Sequence, residues 1–266
     1  MGKIKTWTEQ TFERYVKEGR GQGSGSEYKP WVMVQDFSSR GLSSREYSYT
    51  AKRDCHLLSN LELSYFLILD WSDVVVDILE QYPLPREETL VIAETKGIKH
   101  PVDEKSKVPL VMTSDFLIRT YRDGKYTYIV RSLKFSDDLE NRRTIEKLEI
   151  ERSYWEEHEV DWGLVTERDI PVQMVENIKW LRTAYYLEEL ADMDAEFILT
   201  LSTTLKERLL NVDKSILHIC KEIAAEYYVE QELIIRLLRY LFARKEIRMD
   251  FTKKIQLSNS YCGQIR

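Results

Sequence analysis

Asp115 and Lys134 are the two residues whose types and spacing first point to chemistry. The segment Thr113 to Lys134 reads Thr-Ser-Asp-Phe-Leu-Ile-Arg-Thr-Tyr-Arg, then Asp123-Gly124, then Lys-Tyr-Thr-Tyr-Ile-Val-Arg-Ser-Leu-Lys. Asp-Gly between two β-rich runs predicts a hairpin, because a type I′ turn needs positive φ at both central residues. With those two residues as the loop, Asp115 lies across from Ser132, and Lys134 follows on the same face. An acid and a lysine then emerge together at the end of the hairpin remote from its turn. Charged residues there are ordinarily just solvated, so a site requires a second carboxylate. Mg²⁺ takes one or two carboxylates, with waters and phosphate oxygens completing its shell. Glu62, in Leu57-Leu-Ser-Asn-Leu-Glu62-Leu63, is the candidate.

The elements that must position these residues follow from the pattern around them. Ser59 with Glu62 three residues on is a capping box, predicting a helix from Ser59 to Asp70; the carboxylate can serve the cap, the site or both. Val74 to Leu79 reads as a strand closed by Gln81-Tyr82-Pro83, and Gly97-Ile-Lys-His-Pro101 as a turn. After the hairpin, Arg142 to Glu157 is a long helix with Ile145, Leu148 and Trp155 inward, and Trp162 to Thr166 a short buried strand. That order predicts an α/β domain over residues 1–169.

The N-terminal stretch offers a short amphipathic helix at 7–18, with Phe12, Tyr15 and Val16 on one side, then Glu18-Gly-Arg-Gly-Gln-Gly-Ser-Gly25. No strand precedes the glycines and no Gly-Lys-Ser/Thr follows, so phosphate-loop fingerprints are not met and a flexible loop is expected. Trp31 to Gln35 reads as a strand. Arg20, Arg40, Arg45 and Arg53 are candidate contacts to a phosphodiester backbone.

The 266-residue chain carries a net charge of −6, unevenly spread. Residues 1–56 hold 10 basic and 7 acidic side chains, residues 203–266 hold 12 and 8, and the middle is strongly acidic. An acidic centre between basic flanks suits an enzyme that gathers metal while other surfaces meet phosphate, and equally a protein whose middle docks on a basic partner. No apolar run approaches the length of a membrane span. The three cysteines, Cys55, Cys220 and Cys262, lack metal or disulfide spacing, which fits a reducing cytoplasmic compartment.

From Pro171 onward the pattern becomes helical: a helix holding Ile178, Trp180 and Leu181 that could bridge two domains, then helices at 195–210, Ser215 to Tyr228 and Glu232 to Arg244. Glu246 to Asp250 and Lys253 to Ile255 are candidate short strands. Helix, tight turn, helix and small hairpin outline a winged-helix-like domain over 170–266, with Arg236, Arg239, Arg244 and Lys245 as candidate DNA contacts. A helical protein-docking module fits the same outline.

The blocks Glu18-Gly-Arg-Gly-Gln-Gly, Tyr28-x-Pro30-Trp31, His56-Leu-Leu-Ser-x-Leu-Glu62, Ile78-x-Glu80-Gln81-x-Pro83-Leu84, Gly97-Ile-Lys-His-Pro-Val102 and Glu146-Lys-Leu-Glu-x-Glu-Arg-x-Tyr154-Trp155 together resemble the TnsA-type endonuclease subunits of heteromeric cut-and-paste transposases. The resemblance covers roughly residues 15–182. It implies a restriction-endonuclease-like N-terminal domain and Mg²⁺-dependent cleavage, with Mn²⁺ as substitute, at the 5′ ends of transposon DNA. It also implies a TnsB-type transposase and a TnsC-type ATPase as partners, acting at the bacterial nucleoid. The family's metal-binding acids fall on Glu62 and Asp115 and its site lysine on Lys134. Ser132 stands where related nucleases carry Glu or Gln, leaving its hydroxyl or backbone as a weaker metal ligand. A catalytically silent subunit bridging transposase and ATPase to DNA ends is the alternative function.

Overall fold

The computed structural model describes residues 6–36, 43–186, 193–211 and 214–258. The chain divides into two compact units, Met1–Ile170 and Pro171–Arg266.

The first unit is mixed α/β. In chain order it contains helix α1 (Glu9–Lys17), strands β1 (Ser44–Ser48) and β2 (Arg53–Leu57), helix α2 (Asn60–Trp71), strand β3 (Val75–Pro83), helix α3 (Arg86–Thr95), strands β4 (Thr113–Arg122) and β5 (Lys125–Leu133), helix α4 (Arg142–Glu157) and strand β6 (Asp161–Val165). The main sheet has the order β3-β4-β5-β6, antiparallel except for the β5–β6 pair. The Asp-Gly hairpin forms as the sequence requires: Asp123 and Gly124 sit at φ 52° and 77°, and Arg122 pairs with Lys125.

Consecutive residues of a strand face opposite sides, and β4 uses this to hold a helix on each. Phe116 meets the Tyr65 ring of α2, while Leu117 joins Leu79, Val130, Ile150, Tyr154 and Trp155 in the core under α4. Trp155 Nε1 also donates to Ser114 Oγ at 2.7 Å. The sheet is thereby clamped between α2 and α4. Ile145, expected inward on α4, is instead 46% exposed, because the helix turns its Leu148–Ile150–Trp155 side to the sheet.

Several expectations change here. Residues 31–35 do not form a strand; a 3₁₀ turn spans Val34–Asp36. β3 continues through Gln81-Tyr82-Pro83 rather than ending before them. The glycine run is not a loose loop. Gly25 N–H donates to Asp77 Oδ2 at 2.8 Å and Gly21 N–H to the Lys29 carbonyl at 2.6 Å, which pins the run to the edge of the sheet. Gly21 (φ 74°) shows why glycine is needed: a Cβ there would lie 2.2 Å from Pro83 Cγ.

The second unit contains α5 (Val172–Arg182), α6 (Ala195–Asn211), α7 (Ile216–Glu226) and α8 (Gln231–Ala243). α5 belongs to this unit, and Arg239 of α8 donates to the Trp180 carbonyl at 2.5 Å. Leu205, Ile219, Ile223, Leu237 and Leu241 are buried among these helices. The two expected strands after α8 do not form among the described residues. The side-chain amide of Asn177 takes the carbonyls of Phe251 and Lys253, at 2.8 and 2.7 Å, in place of a partner strand. No strand pair of a wing is formed among the described residues after α8. Among the described residues no helix is long and apolar enough to cross a membrane.

Candidate active site

The β4–β5 ladder runs in the expected register but stops at Phe116↔Arg131, one step short of Asp115 and Ser132. Beyond it β5 stays with β6, where Lys134 N–H still donates to the Val165 carbonyl at 3.1 Å. The strands part, and the Asp115 carboxylate closes the gap. Its Oδ2 accepts from Leu133 N–H at 2.6 Å and from Lys134 Nζ at 3.2 Å, while Lys134 Nζ also donates to the Leu133 carbonyl at 2.6 Å. A splayed hairpin end thus delivers one acid and one ammonium to the same spot.

Glu62 arrives from the first turn of α2. Ser59 caps that helix, accepting from Glu62 N–H at 3.1 Å, and the Glu62 carboxylate reaches back to Leu58 N–H at 2.9 Å and the Ser59 hydroxyl at 3.0 Å. The carboxylate is a cap, yet it is not solvated: the residue is only 7% exposed. Burial first, and the Asp115 charge second, push its pKa up to about 7, against the pull of Leu58 N–H, Ser59 and Lys134. Cap and site are held by one side chain.

Lys134 responds to the same cluster. Burial works to lower its pKa, but the Asp115 carboxylate and its hydrogen bond, with Glu151 and Glu62 further off, leave it raised. The lysine is a fixed cation, suited to stabilising negative charge rather than accepting a proton.

Two further residues of the cluster escaped the reading of the sequence. Glu151 of α4 is buried, and its pKa is pushed up to about 7 by burial and then by Asp115, opposed by hydrogen bonds from Ser114 and Ser132. The available signal was its helical spacing, one turn from both Leu148 and Trp155 on the inward side. Gln81, at φ 50°, donates from Nε2 to Glu62 Oε2 at 3.3 Å and accepts from the Thr113 hydroxyl at 3.2 Å. No local pattern marks such a residue inside a strand.

Ser132 is buried, and its hydroxyl donates to Glu151 Oε1, so it supports a second carboxyl group. Among the described residues no group of three or more His, Cys, Asp or Glu side chains could hold a metal. The donor set that exists is the pair Glu62 and Asp115, whose mutual repulsion a divalent cation would relieve. Two carboxylates suffice for Mg²⁺ when water and phosphate supply the other oxygens.

The candidate DNA-contacting arginines divide sharply. Arg20 is 8% exposed and committed to Glu18 and Asp36, its guanidinium 3.5 Å from the Tyr15 ring centroid. Arg53 is 9% exposed and forks onto both oxygens of Glu80, which is itself fully buried. Neither can turn to a phosphate without breaking an internal ion pair, and both are structural. Arg45 is exposed and, among the described residues, hydrogen-bonds Gln35 at 2.7 Å; Arg40 lies outside the described residues. In the second unit Arg239 ties α8 to Trp180 and Thr183, which makes it structural as well. Arg236 is exposed beside Glu232, and Arg244 caps α8 with its guanidinium 4.9 Å from the Tyr185 ring centroid.

The buried carboxylate gives a pH signature. Glu62 holds its proton in both folded and unfolded chains below pH 4.5; from there to about 7 the unfolded chain ionises first. Stability without metal should fall across that window by on the order of 2–4 kcal/mol from this residue. Glu62→Gln removes the fall. Its thermal midpoint relative to the parent, measured without divalent ions, is expected to climb from pH 4.5 to 7 and then level off. A difference that stays flat across that range would contradict the buried, charge-repelled state of Glu62.

Comparison with known proteins identifies the family. A family model described as "TnsA-like endonuclease N terminal" matches residues 72–167, and one described as "TnsA endonuclease C terminal" matches residues 169–251. The Escherichia coli protein "Transposon Tn7 transposition protein TnsA" is 37% identical over 251 residues, covering 94% of this chain and 89% of that relative. With both halves matched and the similarity running nearly end to end, the chain belongs to the TnsA family of transposition endonucleases.

Proposed function

We propose that this protein hydrolyses phosphodiester bonds at the 5′ ends of a transposon, using a divalent metal held by Glu62 and Asp115. A TnsB-type transposase would cut and join the 3′ ends, and a TnsC-type ATPase would regulate both. The observation that carries the reading is the convergence of Glu62, Asp115 and Lys134 where β4 and β5 part. Bound there, Mg²⁺ or Mn²⁺ would polarise the phosphate and lower the pKa of a coordinated water.

The chain's own residues do the remainder. Asp115 is oriented by Leu133 N–H, and Glu62 by Leu58 N–H and Gln81, so both carboxylates are positioned before any ligand arrives. Lys134, held by Asp115 and the Leu133 carbonyl, presents its charge to the oxygens on which negative charge accumulates as phosphorus is attacked. Glu151, bonded by the Ser132 hydroxyl, braces the end of β5 within reach of the Asp115 charge.

The test is a strand-resolved cleavage assay on transposon-end DNA, with and without the partner transposase. In the complete mixture with Mg²⁺, the 5′ strands are cut; omitting this chain or chelating the metal abolishes those cuts. A silent bridging subunit would instead leave the 5′ strands uncut under every condition.

A further inference from the structure

We propose that Lys147 of α4 is a phosphate-binding residue of the cleavage site, gripping the DNA strand beside the scissile bond. This rests on the endonuclease reading above. α4 carries four cations, and the others are engaged: Arg142 and Arg143 with Glu146, and Arg152 with Glu149 and Glu156. Lys147 has no hydrogen-bonding or carboxylate partner for its ammonium among the described residues.

Its position on the helix makes that isolation informative. Residues four apart share a helix face, so Lys147 lies one turn before Glu151 and one turn after Arg143. Glu151, the acid that could have paired with it, is turned inward to Ser132. The residue is exposed, and it is near enough to the site for Lys134 to act on it. Partial desolvation, then repulsion from Lys134 and Arg143, holds its pKa below the ordinary lysine value.

The fold therefore sets an unpaired ammonium near the catalytic cation: Lys134 is held by Asp115 and attracted by Glu151 and Glu62, whereas Lys147 feels only repulsion, from Lys134 and Arg143. In the free chain that arrangement is unfavourable. It becomes favourable when a polyanion enters, because one run of phosphates can satisfy both charges and release counterions. The ligand chemistry is a phosphodiester oxygen of the strand whose neighbouring linkage sits at Asp115, Glu62 and Lys134.

The experiment is single-turnover cleavage in the complete transposition mixture. The DNA is a transposon-end duplex with a neutral methylphosphonate replacing one phosphate at a time around the cut. With the unmodified chain, one position other than the scissile linkage is expected to slow 5′ cleavage about tenfold, the size of one charge-assisted hydrogen bond. Lys147→Gln should slow cleavage of ordinary DNA by a similar factor and lose the penalty at that position only. Lys147→Arg should restore both, with an unchanged thermal midpoint for both variants. Lys147→Gln cutting at the parent rate, or keeping every methylphosphonate penalty, overturns the assignment while leaving the endonuclease reading intact. Absence of any 5′ cleavage by the unmodified chain overturns both.

Discussion

Lys134→Ala is expected to reduce 5′-strand cleavage by at least about 10²–10³-fold, the usual consequence of removing one fixed charge aimed at a transition state. The ammonium is the cation held directly on Asp115, and its partners fix its position at two points. Asp115→Ala should be no milder, because it would remove the proposed metal ligand and the anchor of Lys134 together. Neither change should unfold the protein. Lys134 is one-third exposed, and loss of Asp115 relieves the repulsion that burdens Glu62 and Glu151. Cuts at the 3′ ends, which the proposal assigns to a partner transposase, should continue wherever the complex still assembles. Strand-resolved mapping separates the outcomes: wild-type rates of 5′ cleavage in either variant would remove these residues from the chemistry.

Arg53→Ala should act on stability rather than on DNA binding. The guanidinium donates to both Glu80 oxygens, at 2.8 and 2.5 Å, and to the Ile78 carbonyl at 2.8 Å, while Glu80 also accepts from His56 N–H at 2.9 Å. Removing the cation leaves a fully buried carboxylate without its counter-charge, which costs about 3–5 kcal/mol. For a chain of this size that corresponds to a fall of roughly 10 °C in thermal midpoint. Arg53→Met with Glu80→Leu should recover most of the loss, since replacing both members of a buried pair by apolar side chains is often close to neutral. A stable Arg53→Ala that merely binds DNA more weakly would return Arg53 to the interface proposed from sequence.

How much of this was legible before the fold depends on whether a residue's job is local. Asp123-Gly124 dictates its own turn, and Ser59 with Glu62 its own cap, so the hairpin and the start of α2 could be read from a few residues. The same locality brought Asp115 and Lys134 together. Glu151 and Gln81 serve partners far off in the chain, so beyond the inward-facing spacing of Glu151 on α4 their neighbours do not announce these roles. Arg20 and Arg53 show the reverse error. Charge alone places both at a phosphate, whereas Asp36 and Glu80, 16 and 27 residues away, make them internal. The strand pair not formed after α8 follows the same rule: residues 246–255 have passable strand composition, but Asn177, more than 70 residues earlier, claims the carbonyls a ladder would need. β1 and β2 went unread for want of a tight turn signal; Lys52, at φ 57°, closes the approach to β2 without glycine.

The central claim is that Glu62 and Asp115 hold a divalent metal beside Lys134. It is tested most directly by growing crystals of the full chain, soaking them in Mn²⁺ and locating the ion by its anomalous scattering. The expected result is a peak in contact with carboxylate oxygens of both Glu62 and Asp115, lost in Asp115→Ala crystals. Manganese bound elsewhere, with those two carboxylates left uncoordinated, would contradict the assignment of this cluster as the nuclease site.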